Sequence, residues 1–149
     1  MTTWMIVEDD PNLYELMCEA FERWEIETLL FVEVEEALEW IDLVDQGHNV
    51  GGLPELAMLD LLFHRVKLGH LVGQRLRASP VLNRLPIVIM SAHRETPAER
   101  EDYRKTFQPD DYIRKPLPRW GELKRRLDAV VTKRKRQNAL ARVPRAPKA

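Results

Sequence analysis

Four short strand-like runs in this chain each end on a residue able to do chemistry. Met5-Ile6-Val7 runs into Glu8-Asp9-Asp10, and Leu56-Ala57-Met58-Leu59 runs into Asp60. Ile87-Val88-Ile89-Met90 ends at Ser91, and Tyr112-Ile113-Arg114 at Lys115-Pro116. Short runs that are apolar throughout read as strands buried on both faces, the kind found inside a parallel sheet. Open α/β sheets bind their ligands at the carboxyl ends of the strands. These ends would gather an acid pair, a third acid, a hydroxyl and an ammonium on one edge. Carboxylates gathered in this way repel one another, and a hard dication relieves the repulsion. Mg²⁺ accepts one or two carboxylates and fills its other positions with water and phosphate oxygens. The charges of Glu8, Asp9 and Asp60 would be cancelled by such an ion together with Lys115. Taken alone, Asp60 fits a plainer reading equally well, as the cap of the turn after its strand.

Positioning these ends requires alternating strands and helices. Pro11 sits where a first helical turn tolerates proline, and Asp9 or Asp10 can cap that turn. Leu13, Leu16, Met17, Ala20, Phe21 and Trp24 then recur at helical spacing. Residues 26–31 read as the second strand. Residues 34–44 read as the second helix, with Ala37, Leu38 and Ile41 inward and Glu33, Glu35, Glu36 and Glu39 in solvent. Gly47, Gly51, Gly52 and Pro54 mark 46–54 as a loop. A third helix over 71–78 stops at Ser79-Pro80, and a fourth strand spans 86–90. The fourth helix, 97–107, has few apolar anchors and should be the least firmly packed element. A fifth strand covers 111–114. Pro118 opens a fifth helix carrying Trp120, Leu123, Leu127, Val130 and Val131 on one face. The alternation predicts a flavodoxin-like (βα)5 fold, a doubly wound parallel sheet of strand order 2-1-3-4-5 with helices on both faces.

This set of residues, in this order, resembles the receiver domain of two-component response regulators over roughly residues 3 to 132. The resemblance implies a stand-alone phosphoacceptor of a phosphorelay, a signalling domain that assists its own phosphorylation and dephosphorylation and is not an enzyme acting on other substrates. By position, Asp60 corresponds to the phosphoacceptor. Glu8 and Asp9 correspond to the acid pair that holds Mg²⁺ together with Asp60 and the backbone carbonyl of Leu62. Ser91 corresponds to the switch hydroxyl, Tyr112 to the switch aromatic and Lys115 to the lysine that meets the phosphoryl group, with a cis bond expected before Pro116. The implied donor is a phosphohistidine on a sensor histidine kinase or phosphotransfer protein. The implied output is a change in the face made by the fourth helix, fifth strand and fifth helix, read by a downstream protein or a second copy of the chain. Leu62 and His93 occupy the positions flanking the approach of water to the phosphorus. An apolar Leu62 implies a comparatively long-lived phosphorylated state.

The sequence departs from the family pattern in two places. Asp9 and Asp60 stand 51 residues apart, longer than the family habit, and the loop at 46–54 absorbs the excess at small cost. After Asp60, His64 stands where the family often has proline, and Val66-Lys67-Leu68-Gly69 replaces an acid-glycine pair. The loop from 61 to 69 is therefore expected to be unusual. Its His64, Arg65 and Lys67 would form a basic rim that attracts a phosphodonor. His64 and His70 lack a matched histidine or cysteine partner for a metal site of their own.

The length of 149 residues suits one domain with a sizeable core. Hydrophobic residues make up 44% and charged ones 32%, ordinary for a globular protein. The single cysteine, Cys18, excludes an internal disulfide and any cysteine-based zinc site, and fits a reducing, cytoplasmic setting. No apolar run approaches the roughly 20 residues that cross a bilayer, and the first residues do not resemble a signal peptide. The net charge of −1 conceals an asymmetry. Residues 133–149 hold seven Lys or Arg and no acid, which leaves 16 of the 23 basic side chains against all 24 acids in residues 1–132. The expected division is a domain over 1–132 and a basic tail over 133–149, either flexible or prolonging the last helix. Such a tail attracts nucleic-acid phosphates weakly, but no recognition motif accompanies it. A solvated or partner-binding tail is the better reading.

No Gly-x-Gly-x-x-Gly or phosphate-loop lysine appears, which argues against nucleotide binding. A phosphatase of the haloacid-dehalogenase type also uses an Asp after a hydrophobic strand, but it needs a second Asp where Leu62 stands, and its acid pair comes last in the chain. A degenerate receiver acting as an unphosphorylated scaffold is opposed by the complete acid, Asp60, Ser91 and Lys115 set.

Overall fold

The computed structural model describes residues 1–144, 146 and 147. In chain order the elements are β1 Thr3–Val7, α1 Pro11–Arg23, β2 Glu27–Phe31, α2 Val34–Asp45, β3 Leu56–Asp60, β4 Leu62–Phe63, β5 Val66–Lys67, α3 Gly69–Ala78, β6 Ile87–Ser91, α4 Pro97–Thr106, β7 Asp111–Arg114 and α5 Trp120–Ala141. Five strands form one parallel sheet in the order β2-β1-β3-β6-β7. Counting only its own strands, this is the expected 2-1-3-4-5 order of a flavodoxin-like fold.

Alternation along the central strands divides the core in two. Met5, Val7, Ala57, Leu59, Ile87 and Ile89 meet Ala37 and Ile41 of α2 and Val72 and Leu76 of α3 on one face. Trp4, Ile6, Leu56, Met58, Val88 and Met90 meet Met17 and Phe21 of α1 and Leu123 and Leu127 of α5 on the other. All residues of β1, β3 and β6 are buried, as strands covered on both faces must be. The register pairs Val7 with Leu59, Asp60 with Met90 and Ser91 with Arg114. The four chemically active strand ends therefore lie level along one edge of the sheet.

Local chemistry sets the helix starts. The Asp10 side chain caps α1 by accepting from the Asn12 N–H at 3.0 Å, with Pro11 in the first turn. Thr96 and Glu99 form a capping box on α4, both bonds being 3.1 Å. That helix buries only Tyr103, in keeping with its expected light packing.

Two regions whose form the sequence leaves open take definite shapes. The loop after Asp60 has an unusual conformation, as expected. It folds into an antiparallel hairpin, β4 against β5, turning through His64 and Arg65. The chain also shows no break at residue 132, because α5 continues to Ala141. Of the two forms expected for the tail, helix extension is the one seen over 133–141. Its first turn is tied to the domain: Arg134 donates to Asp110 Oδ1 at 3.1 and 2.7 Å, and Lys135 Nζ lies 3.4 Å from Glu55. Asp110 also accepts from Arg77, whose guanidinium donates in addition to the carbonyls of Asn83, Leu85, Phe107 and Gln108. The last part of the expected tail, Arg145, Lys148 and Ala149, lies outside the described residues. Among the described residues, no helix is long and apolar enough to cross a membrane.

Candidate functional site

The level strand ends bring Glu8, Asp9, Asp60 and Lys115 together. One oxygen from each of the three acids lies within 4.8 Å of the other two, a spacing that could hold a metal ion. Glu8 is completely buried and Asp60 nearly so. Lys115 Nζ serves both, at 3.2 and 3.1 Å from the Glu8 oxygens and 3.2 Å from Asp60 Oδ2. Backbone donors hold the acids in place. Asp10 N–H donates to Glu8 at 3.2 Å, Leu62 N–H to Asp60 Oδ1 at 3.3 Å, and His64 N–H to Asp9 Oδ2 at 3.1 Å.

Electrostatics mark the cluster as under-compensated. Burial, then the charge of Asp60, push the Glu8 carboxyl up to about 7 against the opposing pull of Lys115. For Lys115, burial pulls the ammonium down, but Asp60 and Glu8 outweigh it and the net shift is upward. One ammonium facing three carboxylates leaves negative charge that a dication would neutralise, and an all-oxygen donor set suits a hard ion such as Mg²⁺.

Gly69 explains how the chain can pass so close to Asp60. A Cβ at this position would lie 1.7 Å from the Asp60 carbonyl oxygen. The Leu68 and Gly69 N–H groups both donate to the Leu61 carbonyl at 3.0 Å, closing the hairpin onto the end of β3.

Ser91 is buried at the end of β6. Its hydroxyl donates to the His93 carbonyl at 3.0 Å and accepts from the His93 N–H at 3.1 Å. Lys115 N–H donates to the Ser91 carbonyl at 2.8 Å, so these two strand ends are directly joined. The Lys115–Pro116 peptide is cis, as expected. Tyr112 is half-buried on β7, with the Arg100 guanidinium 4.4 Å from the centre of its ring. Beside it lies a cavity of about 250 Å³ lined by Ser91, Glu95, Arg100 and Tyr112. Leu62 is half-buried at the start of the hairpin, and the His93 ring lies 3.3 Å from Glu99 on α4.

Sequence reasoning missed three participants. Glu33 holds the His64 ring, with both carboxylate oxygens 3.3 Å from Nε2. Glu99 joins Lys67 to His93. Glu95 is buried with its Oε1 unpartnered. Each is a glutamate on a loop or helix start, where a solvated side chain is the default and no spacing signal points elsewhere.

No protein-family model matches the sequence, and no curated protein does either. Solved structures do match. A receiver domain protein from Methanospirillum hungatei superposes with a TM-score of 0.74 at 14% identity, covering 92% of this chain and 98% of its own. The signal receiver domain of a modulated diguanylate cyclase from Desulfovibrio desulfuricans gives 0.71 at 22% identity, with coverage of 92% and 98%. The receiver domain of a sensor histidine kinase from Pseudomonas aeruginosa gives 0.69 at 18% identity, with coverage of 88% and 98%, and holds a magnesium ion in its active-site cleft. The fold is the receiver fold of response regulators. Within that receiver fold, the acid cluster and Lys115 occupy the carboxyl edge of the sheet, where open α/β sheets bind ligands.

Proposed function

We propose that this chain is a phosphoacceptor signalling domain and that Asp60 takes the phosphoryl group. The observation that carries the reading is Lys115, whose ammonium lies within hydrogen-bond distance of both Glu8 and Asp60 at the sheet edge of a receiver fold. A carboxylate oxygen of Asp60 attacks phosphorus in line. The new P–O bond forms as the bond to the leaving group breaks, and the leaving group departs with the electron pair and takes up a proton. The donor is a phosphohistidine on a sensor kinase or phosphotransfer protein, and the departing group is its imidazole.

Glu8, Asp9, Asp60 and the Leu62 carbonyl would hold Mg²⁺. When bound, the ion supplies positive charge to the phosphoryl oxygens. Its presence in the receiver domain from Pseudomonas aeruginosa supports this assignment. Lys115 shifts from Glu8 toward a phosphoryl oxygen, while the Ser91 hydroxyl exchanges the His93 carbonyl for another. Tyr112 then leaves Arg100 and turns into the cavity beside Ser91. These movements alter the face formed by α4, β7 and α5, as a population shift between two packings. A downstream protein or a second copy of the chain reads that face. Residues 1–132 carry the chemistry, and the cell compartment is the cytoplasm of its donor kinase.

Incubation of the full chain with a small-molecule phosphodonor and Mg²⁺ tests the reading. Wild type should gain one phosphate and Asp60→Asn none. Lys115→Ala should still bind Mg²⁺ but leave the Tyr112 environment unchanged on phosphorylation. Equal labelling of wild type and Asp60→Asn would overturn the assignment.

A further inference from the structure

We propose that the Glu95 carboxylate is the acceptor that receives the Tyr112 hydroxyl when the ring turns inward, so that the switch is latched at the start of α4. The inference rests on the inward turn of Tyr112 proposed above and names the group that holds it. Glu95 is only 8% exposed, and among the described residues its Oε1 has no hydrogen-bond partner. Buried polar atoms are nearly always paired, and an orphaned carboxylate oxygen costs more than a neutral one. Cations are close at hand. Arg94, Arg100 and Arg114 line the same cavity of about 250 Å³ as Glu95, yet none of them bonds that oxygen. Tyr112 lines this cavity too. An oxygen left unpaired beside three guanidinium groups fits a donor that reaches it in another state of the protein.

The strand register puts Tyr112 beside that oxygen. Tyr112 pairs with Ile89 on β6, two residues before Ser91, so the three side chains share one face of the sheet. Glu95 follows Ser91 by four residues and directly precedes Thr96, the N-cap of α4. A cavity of about 150 Å³ admits a benzene ring, so the space beside Ser91 accommodates a phenol. Burial holds the Tyr112 hydroxyl above its ordinary pKa, with Arg100 opposing and Glu95 adding to the rise, and the phenol keeps the proton it would donate. A hydroxyl bonded to a carboxylate makes a short, strong hydrogen bond. Formed only in the inward state, it lowers that state alone and shifts population toward it. Because Glu95 adjoins the cap of α4, a helix that buries only Tyr103, the bond also fixes how that helix begins.

A rival partner for the same oxygen is Arg100, freed when Tyr112 leaves it. Double-mutant cycles separate the two. Full-length wild type, Glu95→Leu, Tyr112→Phe, Arg100→Gln and the pairs that combine Glu95→Leu with each of the others are titrated with beryllium fluoride at saturating Mg²⁺. This probe mimics a phosphoryl group on a carboxylate. Calorimetry reads its affinity, and carbon NMR of the hydroxyl-bearing ring carbon reads the surroundings of Tyr112. We expect affinity about tenfold lower in Glu95→Leu and in Tyr112→Phe, with no further loss when the two are combined. Glu95→Gln, which keeps an acceptor but not the charge, should fall between wild type and Glu95→Leu. The ring carbon should shift on probe binding in wild type and shift less in Glu95→Leu. Additive losses for Glu95→Leu and Tyr112→Phe, or coupling of Glu95 with Arg100 instead, would overturn the assignment. So would unchanged affinity in Glu95→Leu, the result expected if water alone satisfies the oxygen. A wild type that binds the probe with no change at Tyr112 would overturn the inward turn itself, and one that binds no probe would overturn the phosphoacceptor reading.

Discussion

Lys67 Nζ lies 2.7 Å from Glu99 Oε2, tying the hairpin that follows Asp60 to the first turn of α4. The same carboxylate accepts from the Thr96 N–H at 3.1 Å and lies 3.3 Å from the His93 ring. One side chain thus joins the loop after β3, the loop after β6 and a helix that buries only Tyr103. An element held so lightly by its core is positioned largely by such contacts, which places α4 under the influence of both loops.

Glu99 also carries a pH signature. The Lys67 hydrogen bond, then the Thr96 N–H and His93, bring its carboxyl down to about 2 from an ordinary 4.5. A folded value below the unfolded one stabilises fully above about pH 4.5, and the contribution is lost as pH falls through about 2. Carbon NMR should therefore find Glu99 still ionised near pH 3, where exposed glutamates are already protonated. Lys67→Ala should return the midpoint toward 4.5. A wild-type midpoint in the ordinary range would refute the network.

Gly69→Ala should be among the most damaging single-methyl changes in the chain. The added carbon would overlap the Asp60 carbonyl oxygen, and backbone offers no rotamer by which to yield. The expected loss of stability is about 3 kcal/mol, read from urea unfolding, with impaired metal binding because Asp60 must shift. Gly121→Ala, whose Cβ meets nothing closer than an Arg125 side-chain atom at 4.0 Å, should stay within about 1 kcal/mol of wild type. Equal behaviour of the two variants would show that the start of α3 is free to move.

Ending the chain at Thr132 removes Arg134 and leaves Asp110 with the Arg77 guanidinium and the Ile87 N–H. The Arg134–Asp110 pair is mostly shielded from solvent, so the truncated protein should fold but lose about 1 to 2 kcal/mol. A chain ending at Arg136 should match full length in urea midpoint. Identical midpoints for both truncations would mean that the pair adds nothing.

The lifetime of a phosphorylated Asp60 should depend on Leu62 more than on His93. Leu62 offers no polar group to orient water, and the His93 ring is engaged by Glu99. Phosphate release should accelerate several-fold in Leu62→Asn, roughly in line with one added water-positioning group, and change little in His93→Ala. A rate unaffected by Leu62→Asn would sink this account.

Much of the candidate site was legible because apolar runs end abruptly on Glu8, Asp60 and Ser91, a shorter mixed run leads to Lys115, and a parallel sheet sets such ends level. The hairpin was not. Its strands are two residues each, and its turn uses His64 and Arg65 where glycine or asparagine would announce a positive φ. The end of α5 was obscured for a different reason. Lys133 to Arg136 read as a change of composition, yet Lys and Arg are good helix formers, and Asp110 waits 24 residues upstream to hold Arg134. The complete burial of Glu8 and its sharing of one lysine with Asp60 depend on contacts across 107 and 55 residues, which local pattern does not encode.

That sharing governs how ligands at this edge influence each other. Lys115 cannot turn to a third anion without loosening its hold on Glu8 and Asp60. An anion that draws the ammonium away leaves those carboxylates more negative and increases their pull on a cation. A cation at the cluster, in turn, releases Lys115 for the anion. Thermodynamic reciprocity makes the two effects equal, so each ligand strengthens the other's binding by the same factor. A cation and an anion sharing this lysine would therefore bind in synergy, each filling the cleft at lower concentration in the presence of the other.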